Sequence, residues 1–385
     1  MNTQLKTIFV FLFLVCTLRG TAQNFSIDYP SYQNRNSDAL EISRIVRNDT
    51  ATILYMDAYS RPNYWIRLAS GLSLHGNQTG KNYPIIRSQG FELDKEVYMP
   101  ASGNVTFSLQ FAPLAPQEKM IDFIEGANKG DFQIKSIGLN EQEKKGKIHC
   151  HISGKVIDSP QSSRLVLMKA HKNPSSSPWL SIPIRNGEFQ YDFYADHEEV
   201  YEVFIWNDML TGSWLPSLFF AENGPVSFTL YPASTRKPGL VSTSNPLTCE
   251  LQQLESERKA KFNFDSLYAQ MNKLYEENRF ESEALQTLWK KIEQVKDNNE
   301  ERNNIYRERD RLEESGEAYT EEGKALLAKI KQLNEEMNQW TIKHIKQNPS
   351  LPGLYVLTSK TEMARKGEDV TPFLNAYQET FASLY

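Results

Sequence analysis

Few residues in this chain combine the type and spacing that chemistry needs. His149-Cys150-His151 is the densest run of ligating side chains. On a strand, alternate side chains share a face, so the two imidazoles would lie about 7 Å apart on one side. A carboxylate joining His149 and His151 would give a metal a third ligand. Cys150 points to the opposite face, so the three cannot chelate together without a bulge. A solvent-facing histidine pair is the competing reading. Cys150 and Cys249 are the two cysteines beyond the first 22 residues. An oxidising compartment permits a disulfide between them. It would close a loop of roughly 100 residues, worth about 4–5 kcal/mol in the chain-entropy model. Two separate thiols are the alternative. No Cys-x-x-Cys occurs, so the chain has no thioredoxin-type redox pair of its own.

Other stretches imitate catalytic motifs and fail. Gly76-x-x-x-Gly80-Lys81 is one residue short of a phosphate loop and is followed by Asn82 instead of Ser or Thr. His197-Glu198-Glu199 lacks the second histidine of a zinc-protease helix. Gly71-x-Ser73-x-His75 lacks the closing glycine of a nucleophile elbow. No catalytic residue, cofactor site or cofactor follows from these residues. The net charge of -5 argues against a nucleic-acid partner, which needs a concentrated excess of Lys and Arg. An aromatic content of 11% argues for folded cores and against disorder.

Residues 1–22 read as a secretory signal peptide. Lys6 supplies the positive start, residues 8–15 the short apolar core, and Gly20-Thr21-Ala22 the cleavage site. A lipoprotein signal with Cys16 as the lipid-bearing residue is disfavoured, because Val15 stands where a small residue is usual. No later stretch is apolar enough to span a bilayer, so the mature chain is expected to be exported to the periplasm or cell envelope.

The elements that would position any site are β-strands first and helices after. Val105, Phe107, Leu109 and Phe111 alternate with Thr106, Ser108 and Gln110, the pattern of a half-buried strand. Several such runs predict an antiparallel, immunoglobulin-like β-sandwich over 24–143. The polar stretch 141–147 is the first boundary. A second, smaller β-sandwich is predicted over 147–232, with Asn186-Gly187 as a type I′ hairpin turn. Residues 233–249, rich in Ser, Thr and Pro, read as a linker. Residues 250–385 read as helical. A hairpin is expected at about 283–347, folding back at Ser315-Gly316, with terminal helices over 352–384.

Three groups of residues carry a family resemblance. The first is Phe107 to Leu114 with Ile121 to Gly126 and Phe132 to Leu139. The second is Ile148 to Gly154, Ile182 to Phe189 and Phe219 to Gly224. The third is Asn348-Pro349-Ser350-Leu351-Pro352-Gly353-Leu354-Tyr355-Val356-Leu357. Together they resemble the N-terminal half of exported TlpA/ResA-like thiol–disulfide oxidoreductases of Bacteroidota. In that family a β-domain and a helical segment precede a thioredoxin domain carrying Trp-Cys-x-x-Cys. Nothing of that kind follows here, so no catalytic residue carries over. The resemblance implies an exported, non-catalytic scaffold or recognition module for docking or dimerisation, with a protein partner or self-association. The front part of a working oxidoreductase is the first alternative. A periplasmic ligand- or glycan-binding protein using Trp179, Trp206 and Trp214 is the second.

Overall fold

The computed structural model describes residues 25–382, apart from 129, 140–145, 160, 175–176, 178, 296–297 and 365–367. The signal-peptide reading of 1–22 and most of the 141–147 boundary lie outside the described residues. The chain combines antiparallel β-sandwiches with a helical region, and it divides into two compact units between Asn245 and Pro246.

The first β lobe contains β1 Phe25–Asp28, β2 Asn34–Arg35, β3 Leu40–Arg47, β4 Thr52–Tyr59, β5 Trp65–Ile66 and β6 Ser73–Gly76. It continues with β7 Asn82–Gln89, β8 Val97–Tyr98, β9 Asn104–Phe111, β10 Met120–Ile124 and β11 Gln133–Gly138. One antiparallel sheet runs β1-β3-β4-β9-β7-β6-β10-β11-β2, and β5 pairs with β8 as a separate ribbon. β7 belongs to both layers, pairing with β9 and with β6. A bulge between Ile85 and Arg87 lets it bend from one layer to the other. The two layers share one core. Phe107, Leu109 and Phe111 enter from one side and Ile121, Phe123 and Ile134 from the other. The rings of Phe111 and Phe123 meet edge-on at 6.5 Å. Phe107, Leu109 and Phe111 are buried and Thr106 is exposed, as their alternation predicts.

The second β lobe holds β12 Ile148–Val156, β13 Arg164–Lys169, β14 Leu180–Pro183, β15 Glu188–Ala195 and β16 Val200–Ile205. After the short helix α1 Trp206–Leu210 come β17 Ser217–Phe220, β18 Gly224–Leu230 and β19 Leu240–Thr243. Two sheets, β15-β12-β18-β19 and β14-β13-β16-β17, enclose a core that includes Cys150, Ile152, Phe193, Phe219 and Phe228. One ladder departs from the antiparallel expectation: β12 and β18 run parallel, from Cys150 opposite Gly224 to Val156 opposite Leu230. Period-two alternation records which face is buried and carries no strand direction. The segment read as a linker, 233–249, contains β19, which extends this sheet beside β18. Its alternation, Leu240-Val241-Ser242-Thr243, is that of an edge strand with little apolar signal.

The helical unit contains α2 Pro246–Lys261, α3 Asp265–Glu276, α4 Glu283–Gln294, α5 Asn299–Ser315, α6 Glu321–Gln347, α7 Leu351–Glu362 and α8 Thr371–Thr380. A long hairpin is present, but it folds back elsewhere than expected. α4 packs on α5 and α3 on α6, so the arms are α3–α4 and α5–α6. The reversal lies between Gln294 and Asn299. Ser315-Gly316 does end a helix, with Gly316 left-handed at φ 73°. There it makes a joint within one arm, facing the other arm's joint through the Glu281–Tyr319 bridge. The true reversal carries no Gly or Pro. The side chain of Asn298 caps α5 by accepting from the Glu301 N–H. Among the described residues no helix is long and apolar enough to cross a membrane.

Candidate functional site

The two β lobes meet across buried guanidinium groups. Arg164, the first residue of β13, has a side chain 1% exposed. Its Nη1 donates to the Asp38 carbonyl at 2.7 Å and its Nη2 to Asp38 Oδ2 at 3.4 Å. Its guanidinium carbon lies 4.2 Å from the Tyr59 ring centre, 4.1 Å from Trp206 and 5.3 Å from Trp179. Burial pushes Arg164 down to about 10, which leaves it charged at neutral pH. Arg35 lies 4.7 Å over the ring of Trp179 and pairs with Glu41. Trp179 and Trp206 are therefore packed inside the molecule, and Trp214 stacks on Phe204 at 5.6 Å. Trp179 and Trp206 are thus not exposed stacking rings, and Trp214 is half-buried.

Beside this seam the lobes separate into a cleft of about 1150 Å³. Small-molecule pockets typically occupy about 300–1,000 Å³, so this one is roomy enough for an extended ligand. The first lobe contributes β1 and the turn after it, with Arg44 and Tyr55. The second contributes Lys147 and His149, the end of β13, and residues 190–194 of β15. Tyr29 and Tyr191 touch across the floor, ring centres 4.2 Å apart. Burial raises the pKa of both phenols and keeps them protonated. Five cations line the cleft: Arg44, Lys147, Lys169, Lys172 and Arg185. Four of them are paired with carboxylates, Arg44 with Asp28, Lys147 with Asp196, Lys169 with Glu199 and Arg185 with Asp57, and Asp192 adds another acid to the wall. Arg185 is anchored by Asp57 Oδ1 at 3.5 Å, and the Thr106 hydroxyl donates to the same oxygen at 2.5 Å.

The histidine pair sits on the rim. His149 and His151 share the outer face of β12, as the alternation predicts, and Cys150 is buried on the inner face. A carboxylate does join the imidazoles. Asp192 Oδ1 lies 2.8 Å from His149 Nε2 and 3.0 Å from His151 Nδ1. Burial alone would raise Asp192, but the hydrogen bonds with His151 and His149 outweigh it and hold the carboxyl below its usual range. Tyr194 stacks on His149 at 4.8 Å, which fixes that ring. Among the described residues no group of three or more His, Cys, Asp or Glu is placed to hold a metal ion.

Cys150 lies in the second β lobe and Cys249 in the helical unit. Cys249 is exposed on α2. Burial pushes the Cys150 thiol up to about 12, which leaves almost no thiolate at neutral pH. The imitation motifs are loop and rim features. The glycines at 76 and 80 close the β6–β7 turn, where buried Glu118 accepts from Gln78 N–H, Thr79 N–H and the Tyr83 hydroxyl. His75 bonds Asn82, and His197 lies 3.8 Å from Glu199. Sequence reasoning missed Tyr29, Tyr55, Lys172, Arg185 and Asp192. Only Asp192 left a signal, since Gln190, Asp192 and Tyr194 alternate with buried Phe189, Tyr191 and Phe193.

No protein-family model matches this chain, and no curated protein matches it. Two solved structures give weak likenesses. The carbohydrate-binding module CBMbc (family CBM26) from Eubacterium rectale Amy13K, in complex with maltoheptaose, is 10% identical over 46% of this chain and 93% of that one, with a TM-score of 0.19. Pullulanase type I from Bacillus subtilis str. 168, complexed with maltose, is 10% identical over 44% of this chain and 23% of its own, with a TM-score of 0.13. At these TM-scores neither likeness carries an argument about fold or function.

Proposed function

We propose that this chain is an exported, non-catalytic recognition protein that holds a polypeptide partner in the cleft between its β lobes. The observation that carries this is the cleft itself, large and aromatic-floored, between two lobes clamped together at Arg164. The state of Cys150 favours a non-catalytic role, because a buried thiol with a raised pKa is a poor nucleophile. The resemblance of its β and helical segments to the front half of TlpA/ResA-like oxidoreductases favours a scaffold of the thiol–disulfide type. The test uses reduced, carboxymethylated α-lactalbumin as an unfolded partner and insulin disulfides as a redox substrate. Saturable binding of the former without reduction of the latter is expected. Insulin reduction that depends on Cys150 or Cys249 would overturn the reading.

A glycan-binding reading keeps one specific observation. Trp65 and Tyr98 are directly opposite in the β5–β8 ribbon and are 49% and 59% exposed, with Tyr64 beside them at 59%. Glycan-array binding abolished by Trp65→Ala would favour it, and an array with no signal would remove it.

A further inference from the structure

A second, smaller chamber adjoins the cleft, and Tyr29, Tyr32 and Tyr191 line both. Its volume is about 10 Å³. That is room for one water, which needs roughly 10–15 Å³. Three hydroxyls line the chamber, and they come from both lobes. Tyr32 follows β1 and Tyr59 ends β4 in the first lobe, and Ser181 lies on β14 of the second. Tyr59 is 2% exposed and Ser181 4%. None of the three oxygens has a hydrogen-bond partner among the described residues. Ser181 stands close enough to Tyr59 to influence its phenol, but the pair falls short of a well-formed hydrogen bond. Burial raises the pKa of both phenols, so each stays protonated and can donate as well as accept. A buried polar group without a partner has given up its bonds to water for nothing in return. Three such groups around one water-sized space make a binding site.

Charge narrows the occupant. The two carboxylates that line the chamber are already paired, Glu41 with Arg35 and Asp57 with Arg185. Neither is left to balance a metal or ammonium ion. Three hydroxyls suit a neutral molecule that both donates and accepts, and at this volume that molecule is water. We propose that one water is bound in this chamber as a structural part of the seam, bridging Tyr32 and Tyr59 of the first lobe to Ser181 of the second. Arg164 joins the lobes by direct contacts, and the water adds a second, hydrogen-bonded tie beside the floor of the cleft. The site does not depend on what the cleft holds.

The test separates a wet chamber from a dry one by sign. Tyr59→Phe keeps the ring beside Arg164, Ser181→Ala keeps the strand, and each removes one hydroxyl. With water bound, each breaks a hydrogen bond, and the melting temperature is expected to fall by about 2–4 °C. In a dry chamber each would remove an unpartnered polar atom, and the melting temperature would rise. The double variant should lose less than the sum of the two, because both act on the same water. Oxygen-17 relaxation dispersion on the full chain counts long-lived waters directly. The wild type is expected to hold one more than the double variant. A rise in either single variant, additive losses, or equal water counts overturns the site. Replacing sodium with choline should leave the wild-type melting temperature in place. A fall that the double variant does not share would put a cation in the chamber and overturn the water.

Discussion

Glu202 sits in an environment its residue type rarely occupies. It lies on β16, 6% exposed, opposite Met168 and Leu218. Burial pushes its carboxyl up to about 7, and the His171 main chain offsets only part of that. A folded-state value above the unfolded one means that the folded protein binds the proton more tightly. Its contribution therefore favours the fold at low pH and is lost as pH rises from about 4.5 to about 7. The displacement is worth roughly 3 kcal/mol. Glu202→Gln is expected to raise the urea midpoint at pH 8 and to leave it unchanged at pH 4. Equal shifts at both pH values would show that titration is not the cause. Glu118 is the opposite case. Burial would raise it, but the donors around it prevail and lower it, so its stabilisation is present at neutral pH and lost in acid. In the sequence these two glutamates look alike, because donors brought from residues 78 to 83 decide which way each moves.

At the scale of the element, caps decide where the helical arms start and bend. Thr320 accepts from the Gly323 N–H at 3.0 Å and donates to the Arg279 carbonyl of the facing arm. Arg279 pairs in turn with both oxygens of Glu322, at 2.7 and 2.6 Å. Thr320→Ala should cost about 1 kcal/mol, as loss of an N-cap does. Gly323→Ala should also destabilise despite alanine's helix propensity, since its Cβ would overlap the Phe280 carbonyl oxygen. Thermal melts of both variants check this, and a more stable Gly323→Ala would refute the close packing of the two joints. Some of this was legible in advance. Asn186-Gly187, readable as a hairpin turn, has positive φ at both positions, 54° and 76°. The reversal near Asn298 was not, because the 3-4 spacing from Leu285 to Val295 continues as Asn299, Arg302 and Tyr306. A helical register can persist across a reversal that an asparagine cap makes. The cleft was not legible either, since its walls come from residues as far apart as 27 and 201.

At the scale of the whole β unit, Arg164 is more deeply buried than Arg35 and Arg185, the other cations described between the lobes. Arg164→Met keeps most of the side-chain volume and removes the charge between three aromatic rings. A desolvated cation–π contact is worth about 2 kcal/mol or more, and hydrogen bonds to Asp38 are lost as well. The variant is expected to lower the melting temperature and to weaken polypeptide binding, since the cleft depends on how the lobes meet. Unchanged binding at reduced stability would place the cleft's geometry elsewhere. The parallel ladder between β12 and β18 has a further consequence while the chain folds. The central strand of the second lobe gains its second neighbour only when the chain as far as Leu230 is available to pair. Until then Cys150, inert in the finished fold, lacks the packing of the completed core. Incompletely folded chains, and not mature ones, are therefore where thiol chemistry at Cys150 would leave its trace.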